Sequence, residues 1–150
     1  MTETVAQGRT EALLNTAYKT VKSASELILN LMPKVKDEQL KSDMTVHLSA
    51  LEAFSSRTVK LLAEENAKPE EESTVTKMSA KLGSMMNTLL DSGNSRLAEL
   101  MIENATSGVS ELTRTLRESE NLGVSESALR LSRDVCTFEE KRIQKMKEYL

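Results

Sequence analysis

Aromatic residues are almost missing from this chain, which has no tryptophan, two tyrosines and two phenylalanines. Proteins that bind single-stranded nucleic acid stack bases on aromatic side chains, and proteins that bind duplexes present a basic surface. Here lysine and arginine are dispersed among a slight excess of acids, and the net charge is −3. We therefore expect no nucleic-acid partner, and a core built from aliphatic side chains and methionine.

Cysteine and long apolar runs are also scarce. Cys136 is the single cysteine, which fits a reducing compartment, and we interpret its thiol as structural rather than nucleophilic. No stretch approaches the roughly 20 apolar residues that cross a bilayer, and the opening MTETVAQGRT contains no signal-peptide core. These absences predict a cytoplasmic protein with no membrane partner.

Two prolines and five glycines leave few places where a helix has to end. Between these breaks, apolar residues recur at three- and four-residue spacing, which indicates amphipathic helices. We expect one all-α domain over residues 10–150, preceded by a flexible N-terminus at 1–9. Its five helices cover about 10–32, 37–66, 69–91, 95–120 and 125–150.

Two of these helices carry an ionisable residue inside the apolar stripe. His47 lies in the second helix as Met44-x-x-His47, and Glu139 lies in the last helix as Glu139-x-x-Arg142. In an antiparallel layout both positions fall roughly 15 Å from the same end of the bundle, at about 1.5 Å per residue. We therefore expect His47 and Glu139 to lie close together in the interior.

The order of long hairpin, helical crossover and second long hairpin resembles the ferritin-like family. The chain is especially similar to small bacterial ferritin-like domains with a proline-containing turn after the second helix, here Ala67-Lys68-Pro69. The resemblance spans nearly the whole chain and implies an antiparallel four-helix bundle with an additional crossover helix. Di-metal members of the family take a Glu-x-x-His motif from each of two helices and a glutamate from each of the other two.

Only half of each motif is present here. His47 matches the histidine of one motif, but Met44 stands at its glutamate position; Glu139 matches the glutamate of the other, but Arg142 stands at its histidine position. The acids of the first and fourth helices lie outside the apolar stripes or at their flank: Glu11, Glu26, Glu103 and Glu111. The ligand set that the family uses for two metals is therefore incomplete.

We interpret the remaining polar residues as a buried network of His47, Glu139, Arg142 and Asn104, with Ser25 as a further candidate. Arg142 keeps its positive charge and can neutralise Glu139 one helical turn away. His47 is expected to hydrogen-bond the same carboxylate, which would raise the pKa of its ring. The alternative is a residual metal site built from His47, Glu139, Glu111 and Tyr18.

The expected function is a metal-free structural or protein-interaction module that self-associates as a dimer, with no catalytic residue and no cofactor. The alternative is a di-iron or di-manganese oxidase or peroxide-handling protein with an unusual ligand set. A third interpretation is a carrier for an apolar small molecule in a methionine-lined interior.

Overall fold

The computed structural model describes residues 2–70 and 93–150. This part of the chain is all-helical, as predicted. It contains α1 (Thr2–Leu31), a short 3-10 helix (Met32–Lys34), α2 (Glu38–Glu64), α3 (Asn94–Ser119) and α4 (Glu126–Lys147). The helix predicted over about 69–91 falls outside these residues, apart from Pro69 and Glu70, which are not helical. None of the four described helices combines the length and apolarity needed to cross a membrane.

Local side-chain contacts define several of the helix ends. Asp37 precedes α2 and accepts a hydrogen bond from the Leu40 amide (2.8 Å). Ser125 accepts one from the Ala128 amide in the same way at the start of α4 (3.1 Å). Each oxygen satisfies an amide that has no partner within its helix. The predicted start of the last helix near residue 125 is therefore confirmed.

The predicted start of α1 at about residue 10 is wrong, because the helix begins at Thr2. Residues 2–9, which we expected to be a flexible N-terminus, are helical. Extending an existing helix costs little once its first turn has formed. The extension also has neighbours, since the Gln7 amide donates to the Glu65 carbonyl at 3.3 Å. A polar segment with no apolar stripe is thus held by contacts that periodicity does not reveal.

The directions of the helices follow from the side chains that meet between them. α1 is antiparallel to α2 and α3, and α2 is antiparallel to α4, as shown by Gln7–Glu65, Ser23–Asn104, Thr20–Gly108, Asp43–Tyr149 and Arg57–Asp134. α1 and α4 therefore point one way, and α2 and α3 point the other. α1 packs on α2 and α3, whereas α4 packs closely on α3 and more sparsely on α2. The end of α2 and the start of α3 consequently lie at opposite ends of the bundle.

The core between the helices consists mainly of aliphatic side chains, with methionine filling the gaps left by the scarcity of aromatics. Its fully buried members include Leu14, Ile28, Leu40, Met44, Leu51, Leu62, Met101, Leu112, Leu131 and Met146. This composition agrees with the core expected from the sequence.

A glycine allows α1 and α3 to approach closely. A Cβ atom added to Gly108 would lie 2.8 Å from the Thr20 Cγ2 atom, which is closer than carbon atoms can pack. Thr20 is held in place because its hydroxyl donates to the Thr16 carbonyl at 2.9 Å. The absence of a side chain at position 108 is therefore a packing requirement of the α1–α3 contact.

We expect Gly108→Ala to lower the free energy of unfolding by about 1–2 kcal/mol, because overpacking outweighs the better helix propensity of alanine. Thr20→Ser, which removes the clashing methyl group, should restore most of that stability in the double variant. Gly8→Ala is the matched control, since nothing lies within 4 Å of that position in α1, and it should be neutral or stabilising. Chemical denaturation gives the free energy of unfolding of the wild type and of these three variants. Equal stabilisation by both alanine substitutions would contradict the close-packing account.

Candidate functional site

Glu139 and Arg142 form a buried ion pair on the inner face of α4. Both residues are 1% exposed. The Arg142 Nε atom donates to Glu139 Oε1 at 3.0 Å, and Nη2 donates to Oε2 at 2.8 Å. The two residues lie one helical turn apart, so the helix itself directs them to the same face. Both carboxylate oxygens are thereby occupied by one guanidinium group, the strongest geometry for such a pair.

One amide side chain on α3 and one hydroxyl side chain on α1 connect this pair to the two helices. The Arg142 Nη2 atom also donates to Asn104 Oδ1 (3.4 Å), and Asn104 Nδ2 donates to Ser23 Oγ (2.8 Å). Asn104 was a candidate from the sequence, but Ser23 was not. The expected contribution of Ser25 is wrong, because its hydroxyl donates to the Val21 carbonyl of its own helix at 3.0 Å. Only the register between α1 and α3 identifies Ser23.

His47 lies near this network but is not hydrogen-bonded to it. Its ring meets Phe138 edge to face, with centroids 5.9 Å apart and an interplanar angle of 87°. Its Nδ1 atom is buried and has no hydrogen-bond partner among the described residues. The predicted hydrogen bond to Glu139 is therefore wrong, and the ring instead contacts Phe138, the residue that precedes Glu139. Arg142 already occupies the carboxylate oxygens that His47 would have used.

The protonation of His47 follows from these surroundings. The pKa of the ring is lowered from 6.5 to about 4, mainly by burial and next by the charge of Arg142; Asp43 opposes the shift, and Lys145 contributes a smaller decrease. We had expected the opposite direction from a bond to Glu139. The ring is therefore neutral near pH 7, which avoids placing a second cation beside Arg142.

His47 belongs to a line of contacts between α2 and α4, which we call the α2–α4 seam. Its members are Asp43, His47, Phe54 and Arg57 on the α2 side, and Asp134, Phe138 and Tyr149 on the α4 side. The Phe54 and Phe138 ring centroids are 5.5 Å apart. The Tyr149 hydroxyl donates to Asp43, and burial together with this bond raises the pKa of Tyr149.

The donor set at this level of the bundle does not fit a di-metal site. Met44, at the position of a motif glutamate, is fully buried. Glu139 is engaged by Arg142, and the guanidinium brings a fixed positive charge to the region that a metal cation would share. The buried residues that neighbour Ser23 and Asn104 in the sequence include Ala24, Met101 and Ala105, none of which supplies an oxygen or nitrogen ligand.

The alternative set of His47, Glu139, Glu111 and Tyr18 is not assembled as a metal site either. Glu111 is exposed on α3, whereas Tyr18 is buried on α1. Across residues 2–70 and 93–150, no three histidine, cysteine or acidic side chains lie together in a way that could hold an ion. Glu111 lies at the flank of the apolar stripe of its helix, and its side chain is therefore at the surface rather than in the interior.

Cys136 on α4 is half-buried, and its sulfur lies 3.9 Å from the Thr113 hydroxyl. Burial is the main cause that raises the pKa of its thiol. A raised pKa keeps the group in its unreactive thiol form at neutral pH. This agrees with the structural role expected for Cys136.

We expect Glu139→Gln to lower the free energy of unfolding by about 3 kcal/mol or more, because it leaves the Arg142 charge buried without its counter-ion. The double variant Glu139→Leu/Arg142→Met removes both charges and should cost much less. Glu99→Gln is the control, since Glu99 pairs with Arg96 at the same sequence spacing but both side chains are about half exposed; it should cost less than about 0.5 kcal/mol. Denaturant titrations compare the variants. A double variant as unstable as Glu139→Gln would contradict the assigned role of the pair.

We expect His47 to make stability depend on pH in the acid range. Because the folded pKa of about 4 is below the unfolded value, the unfolded chain takes up the proton first. The contribution is complete above about pH 6.5 and is lost as pH falls towards 4; partial exposure of the ring keeps the loss to about 1–2 kcal/mol. Free energies of unfolding measured at several pH values should show a shallower acid decline in His47→Gln than in the wild type. Parallel profiles would rule out this account of His47.

Comparisons with known proteins add no relative to this picture: no family model, no curated protein and no solved structure matches the chain. The ferritin-like resemblance therefore stays a prediction from the residues. The roles of Glu139, Arg142 and Asn104 rest on their own geometry.

Proposed function

We propose that this chain is a ferritin-like bundle in which a buried ion pair stands in place of a di-metal site, and that it acts as a non-catalytic structural or protein-interaction module. Self-association as a dimer and a cytoplasmic location are parts of the same proposal. Its central support is the bidentate bond between Arg142 and Glu139, because Arg142 is a permanent cation at the motif position where the family would have a metal-binding histidine.

The helix order supports the ferritin-like part of the proposal. α1 and α2 form one antiparallel hairpin, α3 and α4 form a second, and the end of α2 and the start of α3 lie at opposite ends of the bundle. A four-helix bundle with one long crossover between two hairpins is the ferritin-like arrangement. Simple up-down-up-down bundles need only short loops and would place α3 antiparallel to α2.

The loss of the metal site is supported by the way the charges balance. In a di-metal protein the buried carboxylates are neutralised by the metal ions they bind. Here the buried carboxylate of Glu139 is neutralised by Arg142, and the carboxylate expected at position 44 is replaced by the apolar side chain of Met44. Binding of a cation would therefore require Arg142 to leave a site in which it is fully buried, so we place the oxidase alternative second.

The proposal is tested by metal content. We expect protein purified without a His-tag, loaded anaerobically with Fe(II) or Mn(II) and desalted, to retain far less than one metal ion per chain by elemental mass spectrometry. Retention of about two ions per chain, the stoichiometry of the family's site, would overturn it. The oligomeric state from light scattering tests the dimer separately.

A matched pair of variants asks whether the motif positions can still act as ligand positions. Met44→Glu/Arg142→His restores both Glu-x-x-His motifs, and we expect it to gain metal affinity relative to the wild type. Met44→Gln/Arg142→Gln changes the same two positions without supplying either motif, and should not gain affinity. Circular dichroism establishes that each variant is folded. Equal binding by both variants would show that the motif positions are not related to a metal site.

A further inference from the structure

Among the four described helices, the α2–α4 seam is the most weakly packed side of the bundle. α1 is packed closely on α2 and α3, and α4 closely on α3, whereas the packing between α4 and α2 is sparser. The ion pair that joins Arg57 to Asp134 (2.9 Å) has side chains that are 40% and 47% exposed. Exposed pairs of this kind contribute little to stability. The seam therefore depends on its half-buried middle, formed by His47, Phe54 and Phe138.

His47 makes this middle vulnerable to protonation. Its buried Nδ1 atom has no hydrogen-bond partner in the described part of the chain, and Arg142 Nη1 is in the same condition. An added proton on Nδ1 would create a buried N–H group without an acceptor and a second cation near Arg142. Both effects are unfavourable in a partly desolvated setting, and both are relieved when the ring reaches water.

The charges around the ring come from the two helices that form the seam. Arg142 and Lys145 on α4 repel a protonated ring, while Asp43 on α2 attracts it. Asp43 is also the acceptor of the hydrogen bond from Tyr149. Glu139, the remaining buried acid nearby, is already paired with Arg142. α1, the other helix that packs on α2, has Tyr18 as its buried titratable residue, and a tyrosine is neutral throughout the acid range.

The described contacts on the opposite side of the bundle, between α1 and α3, show no such feature. α1 and α3 are joined by the close contact of Thr20 with Gly108 and by the bond between Asn104 and Ser23. Neither contact contains a group that titrates between neutrality and pH 4. Acid should therefore weaken the α2–α4 seam more than the contacts between α1 and α3.

We propose that the α2–α4 seam opens in acid while the α1–α3 side stays closed, with His47 as the proton acceptor that drives the opening. This goes beyond the proposed function and does not depend on it, since it follows from the packing and charges of the seam. Opening would move α2 away from α4 and expose the region of His47 and the ion pair of α4.

Distances between paired spin labels test the proposal. One label pair spans the seam at the exposed positions Ser56 and Thr137, and a control pair spans the opposite side at the exposed positions Ala12 and Arg114. Each position is changed to cysteine in a Cys136→Ala background, and distances are measured from pH 7 to 3.5. We expect a longer distance population across the seam as pH falls towards 4, with an unchanged α1–α3 distribution and retained helical circular dichroism.

Two substitutions identify His47 as the cause. His47→Gln should reduce the open population at pH 4 by about tenfold, which corresponds to about 1.4 kcal/mol. Lys145→Gln, at a more exposed position, removes one cation that repels the protonated ring, so the seam should open at a lower pH. This variant provides the test if His47→Gln does not fold. An unchanged seam distance at pH 3.5, simultaneous broadening of both label pairs, or equal opening in wild type and His47→Gln would each overturn the proposal.

Discussion

The ion pair between Arg142 and Glu139 is the interaction on which the polar interior of this bundle depends. Each charge would be costly to bury alone, so neither residue is compatible with the core without the other. Once paired, the guanidinium still has a donor for Asn104, and Asn104 in turn reaches Ser23. A contact that is local to α4 thereby becomes a link between three helices. The remaining described helix, α2, is not part of this network.

α2 meets α4 through aromatic edges and partly exposed polar pairs rather than through this network. His47 occupies the place where a fourth member was expected, but both oxygens of the carboxylate are already taken. The ring consequently stays neutral and packs against Phe138. The bundle is thus asymmetric. The contacts of Asn104 with Ser23 and of Thr20 with Gly108, between α1 and α3, contain no group that titrates in weak acid, whereas the α2–α4 seam contains a histidine whose Nδ1 atom has no partner among the described residues. That asymmetry arises because Arg142 occupies both oxygens of the Glu139 carboxylate and leaves none for His47.

The pairing of Glu139 with arginine also affects which reactions the interior could support. A metal ion and an arginine are alternative ways to neutralise a buried carboxylate, but only the metal offers open coordination positions at which a reaction can occur. The guanidinium has no such position, and its bidentate geometry fills the carboxylate completely. Met44, where the ferritin-like resemblance would expect a second acid, is a fully buried apolar side chain. The buried carboxylate of Glu139 is therefore balanced within α4 by Arg142.

The sequence by itself determined the features that are local in the chain. Helical periodicity predicted the all-α fold and the helices that the structure describes. The three-residue spacing of Glu139 and Arg142 predicted their pairing, because residues one turn apart share a helix face. The tertiary structure alone decided which atoms meet between helices. It selected Ser23 over Ser25, left His47 without the expected bond, and held residues 2–9 in α1. These outcomes depend on the register between helices, which is set by packing of the whole core, such as the approach of Thr20 to Gly108, and not by any short stretch of sequence.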